Sequence, residues 1–313
     1  MKFYLAPLEG ITGYIYRNAY HTFYGGMDKY FAPFINANQS NSFKTRDIND
    51  ILPANNKGMV LVPQLLTNKA QDFIQTAGRI GELGYQEINL NLGCPSGTVV
   101  SKGRGAGFLA KPEELDRFFE EVFNGTKIKI SVKTRIGKEE PEEFYKIIEI
   151  YNKYPIHELI IHPRLQTDFY KNKPNMLIFK EALGLSKNPV CYNGDLCRTE
   201  DFSKFSEEFP NVDTVMVGRG IISNPGLILE VTQGRKPDKI ILRAFHDKVF
   251  EDYQKVISGD RNVLFRMKEF WFYLIDMFVD ADKYAKKIKK SEHFQPYVEA
   301  IDSLFREVKL IGE

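Results

Sequence analysis

The chain has 313 residues, 43% of them hydrophobic and 27% charged, and its formal net charge is +2. This is the composition of a globular protein with room for one large α/β domain and a smaller second one. The near balance of charge excludes a global cationic field, so any surface for nucleic acid must be a local patch.

Cysteine content and hydropathy exclude several further classes of protein. The three cysteines, Cys94, Cys191 and Cys197, are too few and too irregularly spaced for a disulfide framework or a cysteine-rich zinc site. The apolar run at the start of the chain is too short for a signal peptide, and no stretch has the ~18 apolar residues of a membrane span. We therefore expect a cytoplasmic protein without a membrane segment or a metal, and we expect it to be a monomer.

Alternation of apolar and polar residues predicts eight strands, most of them followed by a helical pattern. The strands are expected at residues 3–6, 29–35, 59–65, from 85 to the turn at Gly93, 128–134, 158–162, 189–193 and 213–218. The helices include one over about 13–23 that Thr12 caps, one after Thr67, one from Pro112 to Gly125 and one near 141–153.

Strands and helices alternate at spacings of ~25–40 residues, which is typical of a (β/α)8 TIM barrel. The alternative is a doubly wound open sheet. The barrel is favoured because polar residues follow strands along the whole chain, whereas an open sheet concentrates them at one switch point. In addition, no GxGxxG motif follows the first strand.

The pattern changes from residue 238, just after a turn at residues 234–237. Residues 240–257, 263–279 and 292–309 carry apolar stripes at helical spacing, and no strand pattern remains. The predicted fold is therefore α/β, with a TIM barrel over residues 1–237 followed by a smaller all-helical C-terminal domain over residues 238–313.

Polar side chains and glycines stand where most of the predicted strands end. They are Gln64, Cys94, Lys133, His162, Asn193, Gly194, Asp195, Gly218 and Arg219. In a parallel barrel these ends meet at one mouth, so the side chains converge on one site. One glycine turn alone would be an ordinary tight turn. Two of them on neighbouring strands favour phosphate binding, to which Arg219 adds a charged contact.

Cys94 and Lys133 are the candidates for chemistry. Cys94 stands on a stiff turn before Pro95, and a cationic glycine-rich loop with Lys102 and Arg104 follows it. Lys133 is open to three interpretations: a cation that stabilises negative charge on a heteroaromatic cofactor, a Schiff-base amine, or a solvated lysine at a strand end.

The C-terminal region contains a candidate RNA surface. Arg266 and Lys268 lie near Trp271 and Tyr273 in the sequence, and a run of lysines covers residues 283–290. Cations interleaved with aromatic residues are compatible with RNA contact, whereas a run of lysines is ordinarily a solvated helix face.

Taken in order, the motifs resemble those of the tRNA-dihydrouridine synthases, flavin enzymes that reduce uridine in transfer RNA. The resemblance covers nearly the whole chain. It is carried by APLEGIT (6–12), NLNLGCP (89–95), GRGAG (103–107), SVKTRIG (131–137), HPR (162–164), NGD (193–195) and GRGIISNP (218–225).

The resemblance implies a barrel that holds FMN, with NADPH as the reductant and tRNA as a partner that the helical domain helps to hold. A hydride from flavin N5 would add to C6 of uracil, and Cys94 would protonate C5, which requires a thiol whose pKa is not depressed. The flavin-binding residues that the resemblance implies are Pro7, Leu8 and Glu9 along the ring, Gln64 at its edge, Lys133 at N1 and O2, and His162, Asn193, Gly194, Asp195, Gly218 and Arg219 at the ribityl chain and phosphate.

Four positions depart from the family pattern. Leu8 replaces a methionine, Gly13 an aspartate, Pro163 a glycine and Leu165 a threonine. The glycine at position 13 leaves the first helix without its usual acidic partner, and the two changes near His162 alter the local shape. None of them removes a proposed catalytic group.

Three competing functions remain open at this point. The first is an FMN barrel that reduces a free pyrimidine or an enone, the second an aldolase-like barrel with Lys133 as the Schiff base, and the third an RNA-binding barrel without catalysis. The motifs also leave open which uridine is modified and whether NADPH or NADH is preferred.

Overall fold

The computed structural model describes residues 1–39 and 42–312. The strand segments are β1 (Lys2–Leu5), β2 (Lys29–Phe31), β3 (Ile35–Asn36), β4 (Leu61–Val62), β5 (Gln64–Leu66), β6 (Glu87–Leu92), β7 (Lys129–Gly137), β8 (Leu159–Leu165), β9 (Val190–Asn193) and β10 (Thr214–Val217). The helices of the first 237 residues are α1 (Tyr14–Phe23), α2 (Thr45–Ile51), α3 (Ala70–Glu82), α4 (Gly97–Val100), α5 (Pro112–Gly125), α6 (Glu143–Tyr151), α7 (Met176–Leu185), α8 (Thr199–Glu208), α9 (Arg219–Ser223) and α10 (Leu227–Gln233). The helices after residue 237 are α11 (Lys239–Val256), α12 (Asp260–Leu274), α13 (Asp282–Lys290) and α14 (Phe294–Glu307).

The ten strand segments form eight barrel strands, because a proline interrupts two of them. Pro33 lies between β2 and β3, and Pro63 lies between β4 and β5. Proline has no N–H to donate to a neighbouring strand, so the ladder breaks there. The segment β2 pairs with β4 and β3 with β5, β5 to β10 pair in order, and β1 joins β10 to β2, all in parallel. The sheet is therefore closed, which confirms the predicted barrel and shows that the open-sheet alternative is wrong.

Alternation along each strand divides the side chains between two layers. In β6, for example, Ile88 and Leu90 pack in the main core that the strands share with the surrounding helices, while Asn89 and Asn91 belong to the opposite face of the strand. A second, small apolar cluster fills the barrel interior and includes Tyr4, Phe31 and Met216, among others. The apolar interior thus lies below a polar mouth.

Charged side chains close the barrel floor, at the N-terminal ends of the strands. Lys29 Nζ lies 2.8 Å from Glu87 Oε2 and 3.5 Å from Glu158 Oε2. The Tyr4 hydroxyl donates a hydrogen bond of 3.0 Å to Glu158. Burial raises the pKa of Glu158, although the neighbouring Lys29 lowers it. Two carboxyl groups therefore share one lysine on the floor.

Two strands are longer than predicted. The segments β7 and β8 stay paired as far as Arg135 opposite His162 and Gly137 opposite Leu165. Lys133 and His162 consequently lie within strands rather than at their ends. The prediction was wrong on this point because backbone pairing continues past the residue where apolar alternation stops.

The first helix is capped differently from the prediction. Gly13 is the N-cap of α1. The Thr12 hydroxyl instead accepts a hydrogen bond of 2.7 Å from Leu8 N, within the loop after β1. Asp50 Oδ1 accepts a hydrogen bond of 2.6 Å from Tyr14 N. A carboxylate on α2 therefore supplies the acidic partner that the glycine at position 13 cannot.

The C-terminal helices pack against the barrel through aromatic side chains. Phe245 of α11 and Phe270 of α12 meet the ring of Tyr16 edge-on, with centroids 5.6 and 5.9 Å apart. Inside the helical region, the Tyr297 hydroxyl lies 2.7 Å from His246 Nε2 and accepts a hydrogen bond of 2.8 Å from Trp271 Nε1. The predicted helices are present, and the lysine run forms one of its own, α13. The division into domains at residue 237 stays a prediction.

Candidate active site

A network of side-chain amides positions the turn that carries Cys94. Asn91 Oδ1 accepts hydrogen bonds from Gly93 N at 3.0 Å and from Cys94 N at 2.9 Å. Asn91 Nδ2 in turn donates to Gln64 Oε1 at 2.8 Å, and Gln64 Nε2 donates to Asn89 Oδ1 at 2.7 Å. The amide of Gln64 is completely buried and both of its ends are used. Gln64 therefore supports the cysteine turn indirectly, through its hydrogen bond with Asn91.

The surroundings of the Cys94 thiol keep it protonated. Burial raises the pKa of Cys94, and the Glu9 carboxylate raises it further, although the Ser96 N–H and the cations of Arg135 and Lys133 lower it in part. A thiol with a raised pKa is a poor nucleophile at neutral pH but can still donate a proton.

The glycine-rich loop packs directly on this cysteine. Gly105 has φ +55°, and a Cβ there would lie 2.8 Å from the carbonyl oxygen of Cys94. Ala106 N donates a hydrogen bond of 3.1 Å to the same oxygen. A side chain at position 105 would therefore displace the cysteine turn, and glycine is required at this position.

Lys133 is a desolvated cation opposite the cysteine turn. Its Cα pairs with that of Asn91 on the neighbouring strand. Burial, followed by the positive charge of Arg135, lowers the pKa of Lys133 to about 8. The amine is still mostly charged at neutral pH, and an anion bound beside it would raise its pKa again.

Arg135 is a buried cation whose guanidinium is held mainly by backbone carbonyls. Its guanidinium donates to Gly93 O at 3.0 Å, to Leu165 O at 2.5 Å and to Phe169 O at 2.7 Å. Burial lowers the pKa of Arg135, but an arginine keeps its proton at physiological pH. Phe169 itself has a left-handed backbone, with φ +49°. Arg135 thus adds a positive charge, which Asp168 offsets only in part, and ties together the loops that follow β6 and β8.

Three further charged residues form the opposite side of the mouth. Asp195 contacts Arg164 through both carboxylate oxygens, one of them at 2.9 Å, and Arg219 at 2.5 Å. Burial alone would raise the pKa of Asp195, but the two arginines hold it below its usual value. Arg164 Nη1 also lies 2.9 Å from His162 Nε2. Burial and the cations of Lys133, Arg135, Arg164 and Arg219 hold the pKa of His162 well below its usual value, so its imidazole is neutral.

Two glycines bring the backbone close to its neighbours beside these charges. A Cβ at Gly194 would collide with the Tyr192 hydroxyl. A Cβ at Gly218 would lie 3.3 Å from both Ala6 Cβ and Leu8 Cδ1, which places the loop after β1 against the loop after β10. Turns without side chains let backbone N–H groups approach a bound anion.

The structure brings most of the predicted site residues together. Cys94, Lys133, His162, Asp195 and Arg219 form one electrostatically coupled group. Asn193 lies beside it and donates a hydrogen bond of 2.8 Å to Met216 O. Pro7 and Leu8 are half-buried next to Gly218, and Glu9 lies exposed on the rim, where its carboxylate pairs with Arg46 at 2.6 Å.

Asn89 and Asn91, which position the cysteine turn, had no predicted role of their own, and neither did two arginines and a tyrosine at the mouth. Arg135 belongs to the motif SVKTRIG and Arg164 to HPR, so the sequence motifs could have identified both as site residues. Tyr170 lies in none of the motifs. Its exposed ring lies over both Arg219 and Arg135, with guanidinium carbons 4.6 and 5.3 Å from the ring centroid.

The described residues contain neither a group of metal-binding side chains nor a helix suited to a membrane. No three histidine, cysteine, aspartate or glutamate side chains within residues 1–39 and 42–312 are grouped so that they could hold a metal ion. Across the same residues, no helix has both the length and the apolar character needed to cross a membrane.

Comparison with known proteins gives concordant results. The family model for dihydrouridine synthase matches residues 4–309. A probable tRNA-dihydrouridine synthase of Staphylococcus aureus strain COL is 25% identical over 263 residues, covering 81% of this chain and 78% of the relative. A probable tRNA-dihydrouridine synthase 2 of Bacillus subtilis strain 168 is 25% identical over 260 residues, covering 81% and 79%.

Solved structures with the same fold are more distant in sequence. Morphinone reductase superposes with a TM-score of 0.53 at 14% identity, covering 77% of this chain and 88% of that one. A 2-naphthoyl-CoA reductase gives a TM-score of 0.57 at 10% identity, covering 75% and 50%. These likenesses concern the fold alone. The family model spans nearly the whole chain, which confirms the family and the enzyme class predicted from the motifs: the chain belongs to the dihydrouridine synthase family.

Proposed function

We propose that this protein reduces uridine in tRNA to 5,6-dihydrouridine, with FMN bound in the barrel mouth and NADPH as the source of electrons. The observation that carries the proposal is a protonated Cys94 thiol held on the same mouth as the desolvated Lys133. The names of the curated relatives support tRNA as the substrate.

The residues present fit a flavin mononucleotide. Four cations, Lys133, Arg135, Arg164 and Arg219, outnumber the carboxylates that act on them among the described residues, Asp195 and Asp168, so the mouth has an excess of positive charge for a phosphate and for an electron-rich ring. Close-packed glycine turns lie at the same end. Cationic side chains beside glycine turns are the groups that commonly bind a phosphate in proteins.

We assign the binding roles as follows. Pro7, Leu8 and Glu9 would line the ring, with Lys133 on its N1 and O2 side and Gln64 behind its edge. His162, Asn193, Gly194, Gly218 and Arg219 would hold the ribityl chain and phosphate. Asp195 would act by orienting Arg164 and Arg219, since it contacts both.

When bound, the flavin supplies the hydride that adds to C6 of uracil. Cys94 donates its Sγ proton to C5, so the C5–C6 double bond becomes a single bond with one new hydrogen on each carbon. The thiolate left behind is stabilised by Lys133 and Arg135 and is reprotonated from water. Lys133 also stabilises negative charge that develops beside it.

The uridine must leave its stack to reach this mouth. The loop after Cys94, which carries Lys102 and Arg104, would then cover the phosphates of this uridine. Neither residue has an ion-pair partner within residues 1–39 and 42–312. The loop is anchored to the segment between β5 and α3 by a hydrogen bond of 3.1 Å from Asn68 Nδ2 to Lys102 O.

The test is an assay with the purified protein. We expect a flavin absorption spectrum and NADPH-dependent formation of dihydrouridine in a tRNA transcript, with little reduction of free uridine. Equal reduction of free uridine would favour the reductase of free pyrimidines. A colourless protein that borohydride traps with a carbonyl compound on Lys133 would favour the aldolase-like barrel, and tRNA binding without dihydrouridine would favour an RNA-binding protein.

A further inference from the structure

The outer face of α12 carries aromatic rings that are exposed and do not pack in the core. Phe265 is 59% exposed and Phe272 is 74% exposed, and both lie on the same face with Lys268 between them, at positions i, i+3 and i+7. The next residue, Tyr273, is half-buried, and its ring meets that of Phe272 edge-on at 5.0 Å. Grouped exposed aromatics are uncommon on a surface that binds nothing.

These rings form a ridge between two open grooves. On one side, α12, α13 and the loop after β1 enclose a groove of about 850 Å³ that Glu9 and Lys289 also line. On the other side lies a groove of about 1280 Å³ that includes Asp195 and Arg219 of the mouth. Phe272 and Tyr273 line both grooves. We call Phe265, Phe272 and Tyr273 the aromatic ridge.

The ridge is attached directly to the rim of the mouth. Arg266 Nη1 donates a hydrogen bond of 3.4 Å to Gly10 O, and a Cβ at Gly10 would lie 3.0 Å from Glu269 Oε2. The helix therefore packs on the turn that follows Leu8 and Glu9. A chain that enters the mouth from this side must pass over the aromatic ridge.

The charges of the first groove favour a polyanion. Its two carboxylates are neutralised, since Glu9 pairs with Arg46 at 2.6 Å and Glu269 pairs with Arg266 at 3.2 Å. Its two lysines, Lys268 and Lys289, have no ion-pair partner among residues 1–39 and 42–312. The groove thus presents free cations next to exposed rings, which is the combination that binds unpaired nucleotides.

We propose that the aromatic ridge is a stacking site for an unpaired base of the RNA substrate, next to the uridine in the mouth, with Lys268 and Lys289 contacting the flanking phosphates. The ridge thereby helps to select which uridine enters the barrel. This inference rests on the proposed function, because it takes the substrate to be RNA.

Phe272 provides the first test. Stacking on an aromatic ring contributes to binding without base-specific contacts, and its loss corresponds to about a 5- to 150-fold change in affinity. We expect Phe272→Ala to raise the KM for tRNA by about tenfold and to leave kcat unchanged. Phe272→Trp should restore the wild-type KM. Tyr145→Ala, which removes an exposed ring on α6, is the matched control and should leave the KM unchanged.

Lys289 provides an independent test through the salt dependence of binding. Removal of one phosphate contact to a single strand lowers the slope of log K against log salt by about 0.7. We expect this decrease for Lys289→Ala. Lys286→Ala is the control, because Lys286 is exposed on the same helix but does not line either groove.

The outcomes separate this inference from the function on which it rests. If the wild type forms dihydrouridine and Phe272→Ala has the wild-type KM, the stacking site is wrong and the proposed function stands. If the wild type forms no dihydrouridine but Phe272→Ala weakens tRNA binding, the enzyme proposal fails and the stacking site stands. Equal salt slopes for the Lys289 and Lys286 variants would overturn the phosphate contact. Flavin content and melting temperature exclude misfolding as the cause of any change.

Discussion

The two ends of the barrel use buried charge in opposite ways. On the floor, Lys29 lies between Glu87 and Glu158, and the hydroxyl of Tyr4 completes the group. At the mouth, four cations outnumber the carboxylates Asp195 and Asp168 among the described residues, and Arg135 is held mainly by carbonyl oxygens. The floor has one cation for two carboxyl groups, whereas the mouth has positive charge to spare.

This difference shows which buried charges indicate a ligand. Ion pairs inside a protein recover only part of the cost of desolvation, so a charged group need not mark a function. An excess of positive charge beside close-packed glycine turns does indicate a binding site, because a bound anion can neutralise that charge. The following predictions test this contrast, from the largest expected effect to the smallest.

The largest effect is expected at the mouth, for Cys94→Ala. Removal of the proton donor should slow uridine reduction by about 10²- to 10⁴-fold, the usual contribution of a general acid. Flavin binding and NADPH oxidation should persist, because the backbone hydrogen bonds of the turn remain. Dihydrouridine in a tRNA transcript and the visible spectrum measure the two quantities.

Cys197→Ala is the matched control for this variant, since its thiol is exposed and outside the cysteine turn. It should have the wild-type rate. Reduction of tRNA by Cys94→Ala at the wild-type rate would show that another group is the acid.

On the floor, Lys29→Met should reduce stability rather than activity. The change leaves Glu87 and Glu158 buried without a cation, which costs about 3 kcal/mol. Urea unfolding measures the loss, and flavin content should not change. The control is Lys111→Met, whose exposed pair with Glu114 contributes no more than about 0.5 kcal/mol. Equal unfolding midpoints for the two variants would contradict the view of the floor as a structural ion-pair cluster.

Arg219→Ala should weaken flavin binding without unfolding the protein. A hydrogen bond to a charged group contributes about 1.5–3 kcal/mol, so we expect a 10- to 100-fold loss of FMN affinity in a fluorescence titration. Arg261→Ala removes an exposed arginine that pairs with Glu292 and serves as the control. An unchanged affinity in Arg219→Ala would remove that residue from the phosphate site.

The smallest effect is a pH dependence. Lys133 has a pKa of about 8 in the folded protein, so its cation is present below pH 8 and is lost as the pH rises through that value. Affinity for the anionic flavin should therefore fall by up to about tenfold between pH 8 and 9. Lys133→Met should bind more weakly and lack this pH dependence. A Lys133→Met variant that keeps the wild-type pH profile would assign the titration to another group.

The sequence predicted the architecture because the barrel repeats one simple pattern. Apolar alternation located all eight strands, and the residues near their predicted ends, such as Cys94, Lys133 and Gly194, were recognisable as site candidates. Pro33 and Pro63 lie inside predicted strands and divide them, which the absence of a proline N–H explains.

The parts that could not be predicted depend on contacts between distant segments. The acceptors of Arg135 are carbonyl groups of Gly93, Leu165 and Phe169, and every residue type carries such a group. The position of Asp50 beside α1 likewise follows from tertiary packing. Local pattern contains no information on either contact.

The hydrogen bonds from Arg135 to three backbone carbonyl groups restrict the motion of the segments that carry them. Because one guanidinium holds both Gly93 and Phe169, the segment before the cysteine and the segment after β8 cannot shift independently. A ligand that touches only one of them should slow amide hydrogen exchange in both. Lysine lacks the planar fork needed to bridge the two segments, so Arg135→Lys should let them exchange separately.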